Sequence, residues 1–255
     1  MRPFPRVVQL LLAAALAIGV AFAVQAGGAH ADQRIVGGNR ASTAQYGFAV
    51  YLTDLNDFQF CGGTLVTPVK VATAGHCMAG QQAANLLVVA GRDDKKSDAG
   101  TVAKVARIWV DPDFANVESG SDVAILTLAD RLDYPTATIA TSQSVYQPGT
   151  ASTILGWGRI RENGPTSRYL MAASVPVVAD PACASAYPAF SPTAMVCAGY
   201  PEGGVDACQG DSGGPMVIGT VLVGIASWGD GCARPARYGV YTRVATYSAL
   251  ILRHL

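Results

Sequence analysis

Short apolar runs, each cut off by a turn signal, constrain this chain most. "LLVVAG", "STILGWG" and "VLVGIASWG" are of this kind. Runs this short, rich in Val, Ile and Thr and bounded by Gly, Pro or Asp, make strands rather than helices. With 28 glycines and 14 prolines in 255 residues, such turns recur along the whole length. Only the closing stretch "VATYSALILRHL" reads as a helix. The pattern predicts an all-β fold in which strands alternate with tight turns.

Charge excludes several functions. Charged residues are 14% of the chain, and 18 acidic residues balance 18 basic ones. No basic stripe offers a footprint for nucleic acid, and no acidic tail is present.

The N-terminus reads as a targeting segment. Arg2 and Arg6 precede an uncharged apolar run over residues 7–24. Small residues then offer cleavage after Ala26 ("VQA") or as late as Ala31 ("AHA"). A membrane anchor is the competing reading, because the run approaches the ~20 residues of a spanning helix. Its alanine content and the lack of a basic stop signal favour secretion, with a signal peptide over residues 1–26.

Export changes the meaning of the 6 cysteines. In an oxidising compartment they read as a disulfide framework, with 15 pairings open. Zinc lacks ligands: the 3 histidines are His30, His76 and His254, and no Cys-x-x-Cys pair occurs.

Ser212 in "CQGDSGGP" is a candidate nucleophile, although Gly, Ser, Asp and Pro together usually mark only a loop. A serine hydroxyl needs a base beside it. His30 lies in the segment to be removed and His254 at the end of the closing helix, which leaves His76 in "VATAGHCMAG". A disulfide through Cys77 would hold that histidine rigidly. A histidine base works best with a carboxylate that fixes its tautomer. Asp122 in "SGSDVAILTL" leads straight into an apolar strand and is drawn toward the interior.

In this order "TAGHC", "SDVAIL" and "GDSGGP" resemble the chymotrypsin/trypsin family of serine peptidases. "IVGG", "CGGTLV", "GWG", "CAGY", "SWG" and "YGVYT" also fall in family order, from Ile35 to the closing helix. The stretch from Cys197 to Met216 looks closest to true trypsins, and the cysteine economy to secreted bacterial ones. The resemblance implies a peptidase domain over residues 35–255. It would hold two six-stranded antiparallel barrels, about 35–141 and about 142–243, with a C-terminal helix about 244–255 and the active site between the barrels.

The resemblance also implies the chemistry. Ser212 attacks the scissile carbonyl, His76 is its base and Asp122 orients His76. The backbone N–H groups of Gly210 and Ser212 receive the oxyanion. Asp206 forms the floor of a slot for arginine or lysine, whose walls include Ala207, Ser227, Trp228, Gly229 and Gly239. Residues 27–34 become an activation propeptide, cut between Arg34 and Ile35, after which the new ammonium pairs with Asp211. The implied disulfides are Cys61–Cys77, Cys183–Cys197 and Cys208–Cys232. The implied partners of this secreted monomer are protein or peptide substrates and protein protease inhibitors, with no nucleic acid or membrane.

Three departures from the family bear on detail. Gly75 stands where alanine is usual and loosens the backbone before His76. Ala207 replaces a serine that helps bind lysine, so arginine should be favoured. Tyr238 replaces proline, which leaves room for a sodium ion at the pocket; no other cofactor and no metal is expected. In "GRDDKKSDAGT" lysines lie among Asp93, Asp94 and Asp98, so the loop reads as a solvated turn rather than a calcium site. Two other classes fit less well. A non-catalytic binding module of the same fold would have lost a residue of the site. A lipase-type α/β-hydrolase runs serine, acid, histidine in the opposite order.

Overall fold

Fourteen strands and two helices follow one another in the computed structural model, which describes residues 35–255. The predicted signal peptide, the predicted propeptide and Arg34 lie outside the described residues.

After a two-residue strand β1 (Asn39–Arg40), six strands close into a barrel. They are β2 (Ala49–Thr53), β3 (Gln59–Thr67), β4 (Lys70–Thr73), β5 (Leu87–Ala90), β6 (Thr101–Val110) and β7 (Ala124–Leu128). The order around the barrel is β2-β3-β4-β7-β6-β5, with antiparallel pairs throughout. Closure removes the sheet edges. β2 and β4 are buried along their whole length, as their apolar, β-branched residues require.

The second half is a sheet of eight strands. It uses β8 (Thr138–Ile139), β9 (Ala151–Gly156), β10 (Met171–Pro176), β11 (Met195–Ala198), β12 (Pro215–Ile218), β13 (Val221–Trp228) and β14 (Gly239–Arg243). Its path runs β1-β10-β9-β12-β13-β14-β11, and β8 joins β13 in parallel. The sequence predicts a second closed barrel of six strands. Six of these strands, β9 to β14, meet in such a ring, closed by a single bridge: where β10 ends, Val177 pairs with Ala198 of β11, the Val178 N–H donates to the Cys197 carbonyl at 2.9 Å and the Gly199 N–H to the Pro176 carbonyl at 3.0 Å. β1 and β8 precede residue 141 yet belong to this sheet.

A helix that the sequence reading lacks, α1 (Asp180–Ala186), lies between β10 and β11. Pro181 sits in its first turn, where a missing N–H costs nothing. The Cys183–Cys197 disulfide ties α1 to β11. The closing helix α2 spans Val244–Leu252, shorter than the predicted run to 255.

One apolar cluster runs through both halves, with Trp157 against Tyr51 across the seam at 5.0 Å between ring centroids. A smaller cluster around Tyr187, Phe190 and Tyr238 backs the loops that follow β13. The seam is tight. A Cβ on Gly62 of β3 would come within 3.0 Å of the Gly214 Cα. The bare glycine lets its N–H reach the Ser212 carbonyl at 2.7 Å.

Candidate active site

The closed barrel positions His76 and Asp122. β4 ends at Thr73, and the chain enters a single 3-10 turn, His76–Met78. The Cys61–Cys77 disulfide fastens that turn to β3. Asp122 stands two residues before β7, after Ser121 at φ 56°. Left-handed backbone is uncommon outside glycine. Here it is held from the other half, since the Ser121 N–H donates to the Tyr247 hydroxyl of α2 at 2.8 Å. The Thr242 hydroxyl of β14 also donates to the Asp122 carbonyl at 2.7 Å.

The Asp122 carboxylate is fully committed. One oxygen accepts the His76 backbone N–H and the other accepts from His76 Nδ1, both at 2.8 Å. The Ser227 hydroxyl donates to that second oxygen at 2.5 Å. Asp122 is 1% exposed. A donor bond from Nδ1 leaves Nε2 as the lone-pair nitrogen, the tautomer that can accept a proton. Gly75, the departure before His76, has ordinary helical dihedrals. A Cβ there would meet the Phe114 ring at 3.1 Å and Asp122 Oδ1 at 3.3 Å, so Phe114 occupies the space an alanine methyl would need.

The second half presents Ser212 on a turn between β11 and β12. Gly214 N–H donates to the Asp211 carbonyl at 2.8 Å and Gly213 N–H to Ala226 at 2.7 Å. Gly213 has φ 77°, and a Cβ on it would lie 2.2 Å from the Thr73 hydroxyl. Only glycine lets the serine turn approach β4 so closely. Gly210, at φ 96°, precedes it. No hydrogen bond joins His76 to Ser212 among the described residues. Bonds of this kind often tighten only around a substrate.

Ser212 lies at the edge of a cavity of about 210 Å³. Asp206, Ala207, Ser227, Trp228, Gly229 and Gly239 all line it, together with the Cys208–Cys232 disulfide. Asp206 is 6% exposed. Burial pushes its carboxyl up to about 7, against the pull of the Ala233 and Ala207 N–H groups. Such a group gains most from a cation that displaces water. Gly239 is required here, because a Cβ would sit 2.7 Å from Asp206 Oδ1. The Tyr241 hydroxyl also lines the cavity, is buried, and has no hydrogen-bond partner among the described residues. Sequence reasoning missed Tyr241, which looks like any apolar strand residue of "YGVYT".

Asp211 points away from the cavity. It is 2% exposed and accepts the N–H groups of Gly158 and Cys208 at 2.7 and 3.0 Å. Gly156 and Gly158 have no room for a Cβ beside it. Burial pushes its carboxyl up to about 6, while those two N–H groups and the charge of Lys95 pull it down. Ile35 is 1% exposed, and Val36 makes an isolated bridge with Asp206. Ile35 has φ 47°, a strained value for a β-branched residue.

All three disulfides join the pairs that the resemblance implies. Cys61, His76 and Cys77 bring donor atoms within 4.8 Å of one another. Both sulfurs are spent in the disulfide, so the group is not a zinc site. The loop over residues 91–101 departs from a solvated turn. Asp93 accepts the Thr43 N–H and hydroxyl at 2.6 Å, Asp94 pairs with Arg168, and Lys95 turns inward. Nothing in the local sequence marks Lys95, whose partners are Gln59, Trp157 and Thr166.

The model of the trypsin family matches residues 35–251. A trypsin of Saccharopolyspora erythraea is 48% identical over 222 residues, which cover 87% of this chain and 98% of that protein. A trypsin-like protease of Streptomyces glaucescens is 41% identical, over 92% of this chain and 88% of its own length. Trypsin eta of Drosophila melanogaster is 38% identical, over 97% of each chain.

Proposed function

The chain belongs to the trypsin family of serine endopeptidases, and we propose that it cuts on the carboxyl side of arginine and lysine. The observation that carries this reading is Asp206, a buried carboxylate in a narrow cavity that opens at Ser212. A long cationic side chain is the group that fits such a slot and neutralises its charge.

In the proposed reaction His76 Nε2 takes the proton of Ser212 Oγ as that oxygen bonds the scissile carbonyl carbon. The carbonyl oxygen becomes an oxyanion, received by the N–H groups of Gly210 and Ser212. His76 then delivers the proton to the leaving amine, and an acyl-serine remains. Water enters by the same route, with His76 again as base, and releases the acid. Asp122 keeps the imidazole in the right tautomer and stabilises its cation; the Ser227 hydroxyl holds Asp122 in turn.

Made for export, the enzyme waits as a precursor until the bond between Arg34 and Ile35 is cut. Burial of Asp211, with two N–H partners among the described residues and the Lys95 field, supports this, because a new ammonium at Ile35 would complete its shell. The left-handed φ of Ile35 supports it too, since that torsion ceases to exist once the preceding bond is cut. The junction ends in arginine, so the enzyme activates its own copies. A Ser212→Ala precursor that is still clipped at Arg34 in a pure sample would contradict self-activation. Among the described residues no helix is long and apolar enough to cross a membrane.

Arginine should be preferred over lysine because Ala207 offers no hydroxyl to an ammonium; an unchanged ratio in Ala207→Ser would sink that refinement. A sodium ion beside Tyr238 fits less well than the residue type suggests. The Tyr238 carbonyl is engaged by the Tyr187 hydroxyl at 2.8 Å. The test of the main reading is a digest of denatured proteins by the chain beginning at Ile35. Arginine and lysine should precede the new termini, and Ser212→Ala should produce none. Cuts after apolar residues would keep the family and discard the role given to Asp206.

A further inference from the structure

The inward Lys95 connects to the backbone at the site through one side chain. Its Nζ donates to Gln59 Oε1 at 2.6 Å, and Gln59 Nε2 donates to the Gly210 carbonyl at 2.9 Å. The amide of Gln59 has no freedom in this chain of bonds. Lysine can only donate, so Oε1 must face it, and the amide nitrogen is left for the carbonyl. Lys95 also donates to the Trp157 carbonyl at 3.3 Å and the Thr166 hydroxyl at 3.4 Å. It thereby ties Gln59 to the segment 157–159.

That segment holds the other side of Gly210. The Arg159 N–H donates to the Gln209 carbonyl at 2.8 Å. In a trans peptide C=O and N–H point in opposite directions, so the Gly210 N–H is turned away from Arg159. Gly210, at φ 96°, is thus a hinge between two clamped peptides. The one before it is clamped by Arg159. The one after it is clamped by Gln59 at the carbonyl and by Cys208, whose carbonyl accepts the Asp211 N–H at 2.9 Å. Lys95 touches the Gln59 clamp directly and the strand end that carries the Arg159 clamp.

We propose that Lys95 is a positioning residue for the oxyanion-hole donor of Gly210, acting through Gln59. This rests on the reading that the Gly210 N–H receives the oxyanion. Burial lowers the Lys95 ammonium to about 8, with the charge of Asp211 opposing, so the group is kept inside at a cost in hydration. The charged groups around it are Asp211 and, on its own turn, the Asp94–Arg168 pair. Lys95 lies outside the cavity that takes the substrate side chain, so its effect should fall on turnover rather than on side-chain recognition.

The test uses the chain beginning at Ile35, with Lys95→Met, Lys95→Arg and Gln59→Ala. Three quantities are read: kcat and KM on an arginyl anilide, the affinity of a peptidyl argininal, and the affinity of benzamidine. The argininal forms a hemiacetal whose oxygen occupies the oxyanion site; benzamidine uses only the Asp206 slot. Lys95→Met and Gln59→Ala should each lower kcat and argininal affinity about 10–100-fold, the range of losing part of one oxyanion donor. Benzamidine affinity should change less than twofold, and Lys95→Arg should recover most of kcat. Unchanged kcat and argininal binding in Lys95→Met would overturn the proposal. So would a parallel loss of benzamidine binding, which would mark a merely structural role. If the unaltered chain itself failed to cleave the anilide, the fault would lie with the functional reading and not with Lys95.

Discussion

The two halves of the molecule are built by different means. The His76–Asp122 pair rests on a closed barrel, a disulfide and backbone hydrogen bonds, with left-handed backbone nearby at Gly80, Gly120 and Ser121. Ser212 and Asp206 sit on loops of the second sheet, whose ring is closed only by the Val177–Ala198 bridge. Between residues 199 and 231 those loops pass through left-handed glycines at 199, 203, 204, 210, 213, 219 and 231. Closed ladders set a side chain through many cooperative bonds. Glycine loops are free to take several shapes, and here buried charges choose among them. On the proposed activation the base half is ready-made, whereas the nucleophile and pocket half waits on Asp211, Lys95 and the terminus at Ile35.

The largest expected effect breaks the ready-made half without touching the other. Asp122→Asn should lower kcat by about 10⁴, the loss this change produces in the family, while benzamidine affinity stays within twofold. Stopped-assay kinetics and a binding titration check both. A matching loss of benzamidine binding would show that the halves are not separately set.

Next comes the pocket. Asp206→Ser should reduce kcat/KM on arginyl substrates by about 10³, the order expected for removing one member of a buried ion pair. Leucyl substrates should lose little. Selectivity measured on matched anilides decides it; an arginine preference that survives would remove Asp206 from its role.

A third effect is set by pH. Because the Asp206 carboxyl lies at about 7 in the free pocket, it is neutral below that pH and ionised above it. A cation binds the ionised form, so benzamidine should bind about 100-fold more weakly at pH 5 than at pH 8. In Asp206→Asn the affinity should be weak and flat with pH. The smallest effect is expected at Gly75→Ala. Its Cβ would press Phe114 at 3.1 Å, a contact that a shift of a few tenths of an ångström relieves. kcat should change less than threefold, because Asp122 holds the His76 backbone directly.

Much of this was legible in the sequence, for physical reasons. His76, Asp122 and Ser212 stand in short stretches that carry the family resemblance, and the role given to Asp206 came from that resemblance rather than from the residue's own surroundings. The β-type runs gave the fold class. What escaped was set across the chain. Lys95, Gln59 and Gly210 meet over separations of 36 and 151 residues, and no local pattern announces a lysine that turns inward. The two-residue strands β1 and β8 are too short for periodicity, and their pairing is fixed by the sheet they join. α1 has seven residues and draws its stability from the Cys183 disulfide rather than from propensity.

The contrast between the halves is tested most directly by comparing the uncut Ser212→Ala precursor with the same variant beginning at Ile35. Low-field proton NMR reports the His76 Nδ1–H bond to Asp122, and a titration reports benzamidine affinity. The account expects the same low-field resonance in both forms, with benzamidine binding at least 100-fold more weakly to the uncut chain. Equal benzamidine affinity in the two forms would contradict it, since the pocket half would then be as ready-made as the barrel.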